Sequence, residues 1–102
     1  MRLTKDQVNI IIDVFSEYFL SEDQIWLFGS RVDDSKKGGD IDLYVETYYD
    51  NWAIAAEKQI HFLVDLKKRI GDQKIDLVLN LVTTKQKRPI YDKAKNTGIQ
   101  IK

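Results

Sequence analysis

The chain has 102 residues, with 16 Lys and Arg against 16 Asp and Glu, one His and no Cys. That length is expected to make a single domain over residues 1–102, since domains commonly hold about 100–200 residues, and the missing Cys excludes disulfides, thiolate zinc sites and thiol nucleophiles. A formal charge of zero argues against a surface built to neutralise phosphates throughout, so direct nucleic-acid binding is not expected.

The polar opening MRLTKDQ reads as no signal peptide. No apolar stretch approaches the roughly 18 residues of a membrane span, so no membrane partner and a cytoplasmic location are expected. Thr4 with Gln7 three residues later is a capping-box pattern, and it predicts a helix over residues 4–19. Val8, Ile11, Ile12, Phe15, Tyr18 and Phe19 recur at helical spacing on its apolar face. Ile25-Trp26-Leu27-Phe28, stopped by Gly29-Ser30, reads as a short buried strand. Residues 29–39, GSRVDDSKKGG, read as a loop, and residues 40–46 as a second strand.

Asp50-Asn51 then caps a helix running to about residue 70, closed by Gly71 in a left-handed turn. Its expected apolar face is Ala53, Ala56, Ile60, Leu63, Val64 and Ile70. A third strand is expected over residues 74–81, and Thr83 with Gln86 forms a second capping-box pattern. A short helix over 89–95, a turn at Asn96-Thr97-Gly98 and a brief strand over 99–101 complete the chain. The fold class read from this order is α+β, a small mixed sheet of three to four strands packed against helices.

The acidic residues of the strands carry the chemistry. Residues i and i+2 of a strand share a face, so Asp40 and Asp42 point together while Ile41 and Leu43 point to the other side. Asp76 repeats the pattern as a lone carboxylate between Ile75 and Leu77. If the two strands are neighbours on one core, the three carboxylates converge. Aspartate is a poor strand former and its charge is costly to desolvate. A divalent ion with oxygen ligands compensates this, and Mg²⁺, held by one or two carboxylates with substrate phosphates, suits it best. The plainer alternative is one solvated face of a small sheet. An EF-hand is excluded, because Tyr44 and Val45 stand where that loop needs an oxygen ligand and a glycine. A P-loop is excluded by the missing glycine-lysine-hydroxyl ending. Gly29 and Ser30, at the end of a strand, offer free backbone N–H groups to an anion, with Arg31, Lys36 and Lys37 as further phosphate contacts.

Phe28-Gly29-Ser30-Arg31, an eight-residue interval, then Gly-Asp-Ile-Asp-Leu and a later strand Asp together resemble the DNA polymerase β-like nucleotidyltransferase superfamily. Within it the chain is most similar to the minimal nucleotidyltransferases. The resemblance implies a polymerase β-like nucleotidyltransferase core that moves AMP or another nucleoside monophosphate from a triphosphate, ATP favoured, to a hydroxyl. It implies that Gly29, Ser30 and Arg31 bind the nucleotide, that Asp40 and Asp42 hold two Mg²⁺ ions, and that Asp76 completes the metal site and helps deprotonate the attacking hydroxyl. It also implies a small helical HEPN-type partner, one of whose tyrosines accepts the AMP, so that the chain acts as antitoxin of a toxin–antitoxin pair. Homo- and hetero-oligomers both stay open. Gly39 stands where the family commonly has serine, and Val32-Asp33-Asp34 follows Arg31 where many members have Ala-Arg-Gly. A non-catalytic binding module that silences its partner by docking is the alternative.

Tyr48, Tyr49 and Trp52 either cover the end of a core or offer a stacking or partner surface. His61 reads as a partly exposed helix residue, Asn80 as a residue on the Asp76 face for which orienting a substrate is the lesser reading, and Lys67, Lys68 and Arg69 as a solvated last turn. The zero charge is a sum of unlike parts. Residues 1–80 hold 10 basic and 15 acidic side chains, and residues 81–102 hold 6 and 1. Lys85, Lys87, Arg88, Lys93 and Lys95 make that end basic.

Overall fold

A computed structural model of the chain describes residues 3–29, 41–71 and 73–102. Helix α1 (Lys5–Tyr18) is followed by strands β1 (Gln24–Phe28) and β2 (Ile41–Thr47), helix α2 (Trp52–Ile70), strand β3 (Ile75–Leu81), a 3₁₀ turn (Val82–Thr84), helix α3 (Pro89–Thr97) and strand β4 (Ile99–Gln100). The strands form one mixed sheet in the order β3-β2-β1-β4. β1 runs antiparallel to β2 and β4, and β2 runs parallel to β3. The fold is therefore α+β, as the sequence predicts. No helix among the described residues is long and apolar enough to cross a membrane.

Local chemistry sets the helix ends. Thr4 Oγ1 accepts from the Gln7 amide at 3.1 Å while Gln7 Oε1 accepts from the Thr4 amide at 2.9 Å, so the capping box forms as expected. Asn51 Oδ1 accepts from the Ala53 and Ile54 amides and starts α2. Gly71 ends that helix at φ 113° and ψ −179°, a positive-φ conformation whose ψ is extended where the left-handed turn was expected. The second capping box does not form. Thr83 lies in the 3₁₀ turn, whose end is taken by Lys85 in the left-handed region, and Thr84 Oγ1 donates to the Leu81 carbonyl instead. Residues 96 and 97, expected in a turn, extend α3, and Gly98 caps it.

Alternation along the strands divides the side chains between two faces. Ile25, Leu27, Ile41, Leu43, Val45 and Ile75 face the main core, where they meet Ile11, Val14 and Phe15 of α1 and Phe62 and Leu66 of α2. Phe15, Phe19 and Phe62 pack there as stacked and edge-on rings. The other face carries a smaller core of Trp26 and Tyr44, covered by Tyr91 and Ala94 of α3. Buried Asp23 ties the turn after α1 to the end of β2, accepting from the Leu20 amide, the Thr47 hydroxyl and the Tyr48 amide.

The phase of α2 differs from the expectation. Its buried residues are Ala55, Phe62 and Leu66, with Leu63 and Ile70 packed beside them. Ala53, Ala56, Ile60 and Val64 lie on the outer side and are exposed. The helix carries two apolar stripes at the same spacing, and the sheet takes the one with the larger Phe and Leu side chains, whose burial removes more area from water.

Phe62→Ala should therefore lower stability by about 3–5 kcal/mol, whereas Ile60→Ser, at a position 61% exposed, should change it by less than about 0.5 kcal/mol. Urea denaturation of the two variants measures both, and the reverse ranking would place the wrong face of α2 in the core.

Candidate functional site

The parallel register of β2 and β3 pairs Asp42 with Asp76, Tyr44 with Val78 and Glu46 with Asn80. On the other side of β2, the antiparallel register sets Phe28 against Asp42, Trp26 against Tyr44 and Gln24 against Glu46. The second face of the sheet is thus a grid of three rungs. The first is Phe28-Asp42-Asp76, the second Trp26-Tyr44-Val78, and the third Gln24-Glu46-Asn80. Neighbouring strands lie about 4.8 Å apart, so the two carboxylates of the first rung arise from adjacent backbones on one face.

Asp42 is partly buried and Asp76 is exposed. Gly29, directly after β1, has φ +77° and lies against Asp42, where a β-carbon would come within 2.3 Å of Oδ2. Only a residue without a side chain leaves the Asp42 carboxylate its place there. Carboxylate oxygens are the donor chemistry that Mg²⁺ takes, so this pair and its glycine cradle fit such an ion. Among the described residues no group of three His, Cys, Asp or Glu side chains is placed to hold a metal. Asp40, Ser30 and Arg31, three of the residues predicted for the site, lie outside the described residues. Of the three carboxylates expected to converge, Asp42 and Asp76 are in register on one face of the sheet.

The remaining predicted residues fall elsewhere. Tyr48, Tyr49 and Trp52 follow the far end of β2, away from the Asp42 rung. Tyr49 packs beside the main core, its hydroxyl donating to the Tyr18 carbonyl, while Tyr48 and Trp52 are exposed. His61 is exposed on α2, 3.8 Å from Glu57 and stacked beside the Tyr18 ring. Lys67, Lys68 and Arg69 form the exposed last turn of α2, as expected.

Asn80 is buried on the same face as Asp76 and belongs to a chain of polar contacts. Its Nδ2 donates to the Tyr44 hydroxyl at 3.0 Å, which donates to Glu46 Oε2 at 2.7 Å, and Lys95 Nζ of α3 lies 3.2 Å from that oxygen. Lys95 also sits over the Trp26 ring, 5.3 Å from its centroid. Sequence reasoning missed Tyr44, Glu46 and Lys95. The signal present was the same i+2 alternation that grouped Asp40 with Asp42, which continues through Tyr44 and Glu46. Burial pushes the Tyr44 phenol well above its ordinary value of 10.0; the Glu46 carboxylate adds to this, and the Asn80 amide offsets part of it.

No protein-family model matches the chain, and no curated protein matches it either.

Gly29→Ala should destabilise the protein by about 1–3 kcal/mol, because it adds strain at positive φ and displaces a carboxylate; thermal denaturation measures the loss, and an unchanged midpoint would remove the cradle. Tyr44, whose pKa is raised in the folded state, contributes stability that is complete below the phenol's unfolded value of about 10 and is lost as pH climbs above it. Denaturation midpoints should then fall with rising pH in this range, and Tyr44→Phe should flatten the dependence.

Proposed function

We propose that this chain is a nucleotidyltransferase with a polymerase β-like core, moving AMP from ATP to a hydroxyl group. The observation that carries the reading is the Asp42 and Asp76 pair, in register on adjacent parallel strands with Gly29 against Asp42. In the reaction the hydroxyl oxygen forms a bond to the α-phosphorus, the bond to the bridging oxygen breaks, and pyrophosphate leaves. Asp40, Asp42 and Asp76 would hold Mg²⁺, which when bound lowers the pKa of an attacking hydroxyl and offsets charge on the leaving oxygen. The protein's own share is placement and proton acceptance. Asp76 is exposed at the start of β3, open to an incoming hydroxyl whose proton its carboxylate takes. Gly29, Ser30 and Arg31 bind the phosphates.

The acceptor in this reading is a tyrosine of a small helical HEPN-type protein, and the chain acts in the cytoplasm as antitoxin of a toxin–antitoxin pair. A second reading, partner silencing by docking without transfer, is favoured by the uncovered stripe on α2, where Ile60 and Val64 are 61% and 48% exposed. Large exposed apolar side chains in one stripe mark surfaces that other proteins cover.

Incubation with ATP, Mg²⁺ and the helical protein encoded beside it should add the mass of one AMP to that protein. Asp42→Asn and Asp76→Asn should each slow the addition by about three orders of magnitude, the size of several kcal/mol of lost transition-state stabilisation. A mass spectrum without the adduct, together with a calorimetric titration showing no uptake of ATP and Mg²⁺ but intact binding of the partner, would replace transfer by docking.

A further inference from the structure

Helix α2 covers the main core with Ala55, Phe62 and Leu66 and turns a second apolar stripe outward. Ile60 and Val64, 61% and 48% exposed, form its middle, with exposed Ala53 and Ala56 toward the helix start. Leaving such a stripe in water costs free energy in proportion to its area, and a covering partner recovers it. The charges beside the stripe specify that partner. Exposed Glu57 borders its first half, and exposed Lys67 and Lys68 border its end. Among the described residues neither lysine is paired with an acid, and Glu57 meets only His61, at 3.8 Å.

These residues are arranged symmetrically about the middle of the helix. At 3.6 residues per turn, Glu57 and Lys68 lie on one flank of the stripe, about 8 Å to either side of the level between Phe62 and Leu63. Ile60 and Val64 lie at its centre, about 3 Å to either side of Phe62. Ala56 and Lys67 share the other flank, about 8 Å to either side of the level just before Phe62, and Ala53 and Gly71 close the two ends. An identical helix turned end for end therefore sets Lys68 opposite Glu57, Val64 opposite Ile60, Lys67 opposite Ala56 and Gly71 opposite Ala53, each pair occurring twice. Small Ala56 leaves room for the aliphatic stem of Lys67. A β-carbon at Gly71 would meet nothing within 4 Å, so that end of the stripe is open to a neighbour. The parallel arrangement would instead set Glu57 against Glu57 and lysines against lysines, which repel.

We infer that the outer face of α2 joins two copies of this chain as an antiparallel, two-fold symmetric helix pair. A contact of this kind uses the same patch on both copies, so it closes on itself and stops at two. Because α2 lies on the main-core face and Asp42 and Asp76 on the opposite one, pairing leaves the carboxylates of each copy uncovered and does not depend on the transfer reaction. One helix face buries less than the roughly 800 Å² per partner of a standard stable interface, which sets the dissociation constant at about 1–100 μM. At protein concentrations below that range the pairing adds little to folding stability.

Sedimentation velocity of the full chain, over a dilution series spanning that range, should show a shift from monomer to dimer. Ile60→Gln with Val64→Gln, at exposed positions whose polar replacements suit a helix, should weaken the dimer about tenfold or more. Glu57→Lys should weaken it about tenfold by facing lysine with lysine, and Lys67→Glu with Lys68→Glu should do the same with carboxylates. Mixing these two charge-reversed chains should restore the dimer, because their opposite charges then meet across the pair. Far-UV circular dichroism checks that each variant keeps its helices. A chain that stays monomeric throughout the series would overturn the inference and leave the stripe to the helical partner of the docking reading. A dimer unmoved by the Ile60 and Val64 substitutions, or charge-reversed chains that do not recover on mixing, would overturn it as well.

Discussion

The parallel, in-register pairing of β2 with β3 is the constraint on which the rest depends. A strand has a side-chain period of two, so slipping this pair by one residue would turn Asp42 or Asp76 into the main core and bring Leu43 or Leu77 out. The buried positions Ile41, Leu43, Val45 and Ile75 prevent that slip, because α1 and α2 cover one face of the sheet and desolvate whatever points there. The register that buries these side chains therefore also sets two carboxylates side by side. It equally sets Glu46 beside Asn80 four residues on. The Asp42–Asp76 rung and the Glu46–Asn80 rung are two consequences of one packing decision, and α3 covers the Tyr44 rung between them.

The second face is not simply solvated. Tyr44 is fully buried there with a polar hydroxyl, and Asn80 is nearly so, which would be costly without partners. Lys95, Glu46, Tyr44 and the Asn80 Nδ2 group pair in a line from the exposed side of α3 into the sheet. Lys95 brings its ammonium both to Glu46 and over the face of the Trp26 ring, so a residue of the basic C-terminal segment borders the small core. Gly98 completes the fit at the other end of α3. A β-carbon there would come within 2.7 Å of the Leu27 carbonyl oxygen, so glycine lets the helix end close onto β1.

Features decided by neighbours in sequence were legible in advance, and those decided by distant packing were not. The Thr4 and Gln7 box and the Asn51 cap are local hydrogen bonds, and the helices begin where those residues stand. Asp42 and Asp76 on one face followed from alternation once both strands set their apolar sides on the same core. The phase of α2 did not, because Ala53, Ala56, Ile60 and Val64 repeat at the same period as Ala55, Phe62 and Leu66, and the choice between the stripes falls to packing against distant elements, where the larger Phe62 and Leu66 bury more area. Thr83 and Gln86 matched a local pattern but sit where the chain leaves β3 in a 3₁₀ turn, so the box had no helix to cap. Tyr44 and Glu46 were visible as partners of Asp42 in the alternation, yet nothing near them in sequence announces α3, which arrives more than forty residues later to bury one and neutralise the other.

The charge asymmetry of the chain takes its meaning from this arrangement. Residues 1–80 carry an excess of five acidic side chains and residues 81–102 an excess of five basic ones. Had the basic segment packed on α1 or α2, the two excesses would face solvent apart. Instead β4 pairs with β1 at the sheet edge and draws α3 across the second face, over the strands that carry Asp42, Glu46 and Asp76. Lys95 is thereby matched to Glu46, whereas Lys87 and Arg88, just before the first turn of the helix, are exposed. Among the described residues, the carboxylates of the first rung thus stand without a basic residue of α3 beside them, whereas the Glu46 carboxylate of the third rung is met by Lys95.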